Sequence, residues 1–144
     1  MLAMDDADVQ IVPLAEPRPL TRQERELLDF LLDGPVDSPE LRAQAATAVV
    51  NGVCSCGCPS IQLAVDEDAP RARLDGREVI ASGAAQIRAR RIGHDDVQTE
   101  VALHVVGNVR NGQGVMWELE VWPTAEGEQK PELPPIGELQ FVEP

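Results

Sequence analysis

A chain of 144 residues, 43% of them hydrophobic, is long enough to build one apolar core without disulfide or metal staples. Acidic residues outnumber basic ones 25 to 12, giving a net charge of −13, and Phe30, Trp117, Trp122 and Phe141 are the whole aromatic complement. That balance repels phosphate backbones and acidic membrane surfaces and offers few stacking platforms, which argues against nucleic-acid and membrane partners.

Residues 1–19 read as a flexible acidic leader, with Pro13, Pro17 and Pro19 barring a helix. Asp8 to Leu14 has the pattern of an edge strand. The segment lacks the basic and apolar regions of a signal peptide, so the expected location is cytoplasmic. A single domain is then expected over 20–144. It opens on a helix, where Thr21 and Glu24 form a capping box and Leu27, Leu28, Leu31 and Leu32 line one face. Asp33-Gly34-Pro35 ends that helix, and Ser38-Pro39 starts a second, shorter one.

Strand patterns follow. Val49 to Val53 leads into the run Cys54-Ser55-Cys56-Gly57-Cys58-Pro59, and Ser60 to Val65 leaves it with alternating apolar residues. Asp66 to Gly76 reads as an exposed charged connection, and Arg77 to Arg91 as a longer strand. Gln98 to Val109 and Val115 to Trp122 form the clearest pair, with Asn111-Gly112 marking a hairpin turn. A three-residue loop there places Leu119 opposite Val105, Trp117 opposite Gly107 and His104 opposite Glu120. Val115, Trp117, Leu119 and Val121 then face the core, and Met116, Glu118, Glu120 and Trp122 face outward with His104. Ile136, Leu139 and Phe141 return an apolar segment after a proline-rich stretch. Helices first and a meander afterwards predict an α+β domain, one or two N-terminal helices packed on a mostly antiparallel sheet.

The only cysteines are Cys54, Cys56 and Cys58, an odd set that fits poorly with a disulfide framework. As thiolates they suit zinc or another soft ion, with His94 or His104 as a further ligand. The one-residue spacers are shorter than a C-x₂₋₄-C clasp, however, and Gly57 and Pro59 are turn residues. The pattern therefore favours buried thiols at a tight corner over a metal site, and a metal site over a redox nucleophile, which would need a cationic neighbour. No cofactor is demanded by the sequence. His94-Asp95-Asp96 reads as a polar turn, and Arg88, Arg90 and Arg91 as a solvated strand end balancing nearby acids. No residue is assigned a catalytic role, because no general base is positioned and no phosphate loop appears.

The run Pro19 to Leu32, the segment Cys56-Gly57-Cys58-Pro59-Ser60 entering a strand and the late Glu118-Leu119-Glu120-Val121-Trp122 together resemble a family of small uncharacterised bacterial proteins marked by C-x-C-G-C-P-S. That resemblance spans most of 19–142 and implies no activity or catalytic residue. The opening Pro19-Leu20-Thr21 and the same late strand are more distantly similar to immunity-like α+β proteins that neutralise toxins, from which the cysteine corner departs. The expectation is a non-enzymatic interaction protein. Its contact surface is His104, Met116, Glu118, Glu120 and Trp122, and its partner another protein, basic in the immunity-like version. The alternative is a thiolate metal-binding protein built on Cys54, Cys56 and Cys58. Oligomeric state is not legible.

Overall fold

A computed structural model describes residues 11–80, 83–91, 99–123 and 132–142. It holds strand β1 (Ile11–Pro19), helices α1 (Arg22–Leu32) and α2 (Pro39–Thr47), and strands β2 (Val49–Cys54) and β3 (Ile61–Ala64). Strands β4 (Ala85–Arg91), β5 (Thr99–Val106), β6 (Val115–Pro123) and β7 (Leu139–Phe141) follow. Among the described residues the strands form one seven-stranded sheet in the order β1-β2-β3-β6-β5-β4-β7, with every pairing antiparallel. The α+β class stands. No helix among the described residues is long and apolar enough to cross a membrane.

Residues 11–19, expected to be leader, instead form an edge strand paired with β2. The prolines that forbid a helix there are tolerated at an edge, where one side of the strand needs no ladder donors. The strand is also tied to α1: the Arg18 guanidinium donates to both Glu24 oxygens, at 2.9 and 3.0 Å. Glu24 completes the expected capping box, accepting from the Thr21 amide while its own amide donates to Thr21 Oγ1. Burial pushes the Glu24 carboxyl up, but Arg18 and the Thr21 amide outweigh it and hold it below the ordinary carboxylate range.

The buried apolar side chains form one cluster. It contains Leu27, Leu28, Leu31 and Leu41 from the helices and Val50, Ile61, Leu63, Ile87, Val101, Leu103, Leu119 and Val121 from the strands. Ala72 and Leu74 join it, so the expected exposed connection over 66–76 is in part buried. It is pinned by mutual backbone bonds between Ala72 and Gly114 and by the Leu74 amide donating to Val109. The expected long strand from Arg77 begins only at Ala85, where Val79 bridges Ala85, the Ile80 amide donates to Ala84 O and the Gln86 amide to Glu78 O, with Gly83 at φ +87. The returning C-terminal segment is present as β7, where Phe141 stacks on Phe30 at 4.8 Å.

The β5–β6 register differs from the expected hairpin by two residues. Leu103 lies opposite Leu119, Val101 opposite Val121 and His104 opposite Glu118. Between β5 and β6 runs a longer connection with a 3₁₀ turn at Val109–Asn111 rather than a three-residue loop. An even shift keeps each side chain on its face, so the core assignments of Leu103, Leu119 and Val121 survive it. A bulge does not keep faces. Glu118 pairs with His104 but Met116 with Val105, so Trp117 is the extra residue. Met116 therefore turns into the core at 1% exposure and Trp117 is 40% exposed, the reverse of the expected placement.

Gln44 on α2 holds this bulge. Its side chain is fully buried, its Oε1 accepts from the Met116 amide at 2.9 Å, and its Nε2 donates to Gly114 O at 2.9 Å and Pro70 O at 2.7 Å. The buried Met116 amide would cost about 1–3 kcal/mol without that partner.

Candidate functional site

The cysteine corner is built by one turn. Cys54 closes β2, the Gly57 amide donates to Cys54 O at 3.1 Å, and Gly57 takes φ +84, where a side chain would be strained. The chain then re-enters the sheet at Ser60. That buried hydroxyl accepts from the Val121 amide at 2.9 Å and donates to Val121 O at 3.2 Å. Ser60 therefore clamps the corner to β6, one residue from Trp122.

The turn brings the three sulfurs together. All three lie within 4.8 Å of one another, and each cysteine is half-buried and free of disulfides. Cys54 and Cys56 Sγ approach to 2.9 Å. Backbone donors also point at sulfur: the Cys58 amide reaches Cys56 Sγ at 3.4 Å, and the Cys56 amide bonds Cys54. The expectation of thiols buried in a corner is thus met only halfway, since none of the three belongs to the core. Burial, together with the hydrogen bond to Cys56, pushes the Cys54 thiol up to about 12. A thiol held protonated is a poor nucleophile, which weighs against redox or covalent chemistry.

The second region is the sheet face opposite the core. Register sets its side chains in rows. Gln86, His104, Glu118 and Gln62 lie side by side, then Arg88, Ala102 and Glu120, then Gln140, Arg90, Glu100 and Trp122. His104 Nε2 bonds Glu120 Oε1 at 2.7 Å, and Gln86 lies 3.4 Å from the other ring nitrogen. The His104–Glu120 pair was expected from direct opposition. It forms across the diagonal, because Glu118 is the residue opposite. Glu118 makes no ion pair with His104, and burial with the nearby Glu120 charge raises its carboxyl above the ordinary value, His104 opposing weakly.

Glu100 is 3% exposed and is held by Arg88 and Arg90, while Arg91 pairs with Glu138 at 2.6 Å. The basic cluster thus balances nearby acids, as expected. Of the expected contact residues, His104, Glu118, Glu120 and Trp122 are partly accessible on this face, and Met116 is not available to a partner. His104 is occupied by Glu120 and does not join the cysteines among the described residues. His94, Asp95 and Asp96 lie outside the described residues. Sequence reading missed Ser60, Gln86 and Glu100; only Glu100, next to Val101, the first core position of its strand, carried a signal, as a carboxylate near a run of arginines.

Comparison with protein-family models, curated proteins and solved structures gives no match.

Proposed function

We propose that this protein binds a soft metal ion through Cys54, Cys56 and Cys58. The observation that carries the reading is the convergence of three half-buried sulfurs within 4.8 Å on a single glycine-dependent turn. Thiolates in such a set select soft ions such as zinc or copper(I) over hard ones. Backbone amides aimed at two of the sulfurs stabilise the negative charge that ligation leaves on them. On this reading the C-x-C-G-C-P-S signature of the resembled family is a ligand signature. Metal analysis of protein purified under reducing conditions should return one equivalent of a soft ion. Single Cys→Ser changes should each weaken binding by more than the about 10–100-fold typical of losing an outer-shell partner. Retention of full metal by all three variants would sink the proposal.

The polar sheet face supports a second reading, as a protein-contact surface in the cytoplasm. Its specific support is Trp122 lying among half-buried carboxylates, with Glu118 left without a basic partner in an acidic chain. In that reading the two helices form a layer behind the apolar face, and the other face meets a basic protein. The complex would weaken with salt. Trp122→Ala should loosen it about 30-fold, the scale of an interface hot spot. Unchanged affinity after Trp122→Ala combined with charge reversal at Glu118 and Glu120 would remove this surface from consideration.

A further inference from the structure

We infer that the cysteine corner is an exchangeable three-sulfur site for copper(I) rather than a closed structural zinc site; this rests on the metal-binding reading above. Three features support this reading. The first is ligand number. Structural zinc is closed by four protein ligands. Among the described residues the cluster comprises Cys54, Cys56 and Cys58 and no imidazole or carboxylate. Copper(I) is a soft ion suited to thiolates, and three of them complete a trigonal shell.

The second is the size of the triangle. Metal–sulfur bonds of about 2.3 Å in a plane set sulfur–sulfur edges near about 4.0 Å. The sulfurs here already lie within 4.8 Å of one another, and the 2.9 Å edge between Cys54 and Cys56 needs to open by roughly 1 Å to admit the ion. Rotation about χ1 at the end of a strand supplies a movement of that size without disturbing the sheet. Three thiolates around a monovalent ion also keep a formal charge of −2, and the Cys56 and Cys58 amides are placed to offset part of it. On binding, each sulfur exchanges its proton for a bond to the ion, and the three protons pass to buffer; no electron is transferred.

The third is independence from the fold. The core cluster contains none of the cysteines, and the corner is fastened to β6 through Ser60 instead. An ion here does not hold the fold together. Half-exposed sulfurs leave room for an incoming thiol to attack and carry it off.

The test is a titration of the reduced chain, without oxygen, using copper(I) and zinc(II) separately against a colorimetric chelator for each. One copper(I) per chain is expected, with three sulfur neighbours by X-ray absorption and a far-ultraviolet circular dichroism spectrum unchanged when the ion is stripped. Gly57→Val keeps all three thiols but strains the turn, and should weaken copper(I) binding by about tenfold or more. Equal affinity in that variant would mean that any three thiols suffice, and would overturn the assigned site. Four-coordinate zinc at one equivalent, with copper(I) lost to its chelator, or unfolding of the stripped protein, overturns this inference but leaves the metal-binding reading intact. Failure of both ions to bind overturns the two together.

Discussion

The cysteine corner and the polar sheet face reach their chemistry by opposite routes. The corner draws its three sulfurs from five consecutive residues, and one turn with one left-handed glycine sets their geometry. Neighbours on the face come from five strands and depend on the β5–β6 register. That register includes a bulge held by Gln44, 72 positions from the Met116 amide it satisfies. Local geometry of the first kind survives loosening elsewhere in the molecule. Geometry of the second kind fails when any long-range contact slips, because one residue of shift exchanges the two faces.

Ser60 is where this contrast is most exposed to experiment, since its side chain bonds the corner to Val121 on β6. Ser60→Ala leaves the buried Val121 amide and carbonyl short of a partner. The expected cost is about 2 kcal/mol, seen as a midpoint several degrees lower in thermal unfolding. Metal affinity of the folded variant should fall by less than about tenfold, because the turn is closed by its own Gly57–Cys54 bond. A loss of metal as complete as that of a Cys→Ser change would mean the corner is organised by the sheet, and the contrast would not hold.

The same contrast accounts for what the sequence reveals. The capping box at Thr21 and Glu24, the Ser38-Pro39 helix start and the strands flanking the corner each depend on neighbours within a few residues, and all appear as expected. The corner's residues were legible for that reason. Their convergence was not, because spacing alone does not show that Gly57 bends the chain enough to gather the sulfurs. Trp117 and Met116 exchanged places because alternation assumes an unbroken strand, and the residue that breaks it sits on α2. His104 and Glu120 meet although the register that suggested the pair was wrong by two. A diagonal neighbour on the same face lies within reach of long side chains. Ala72 and Leu74 were hidden by the charges around them, and β1 beyond Leu14 by its prolines.

The smallest effect tests whether the face is arranged for folding or for contact. Glu118 is half-buried beside Glu120, and its carboxyl is raised above the ordinary 4.5 by burial first and by Glu120 second. A raised acid favours the folded state while protonated. Its contribution is present below the unfolded value and is lost as pH rises through the folded one, so at neutral pH the ionised group costs stability. Glu118→Gln should therefore stabilise the protein at pH 7 by about 0.5 kcal/mol, a figure reduced for its partial exposure to solvent, raising the unfolding midpoint by about 1–3 °C. The gain should vanish below pH 4.5, where the natural side chain is neutral as well. Glu120→Gln has the opposite expectation, because it weakens the bond that His104 makes at 2.7 Å. A stabilising Glu118→Gln marks a carboxylate kept at the expense of the fold, as a contact surface requires. A gain that persists in acid would show that it does not come from the carboxylate's charge. Destabilisation at pH 7 would instead make Glu118 part of what holds the sheet together and leave the cysteine corner as the one region free of that duty.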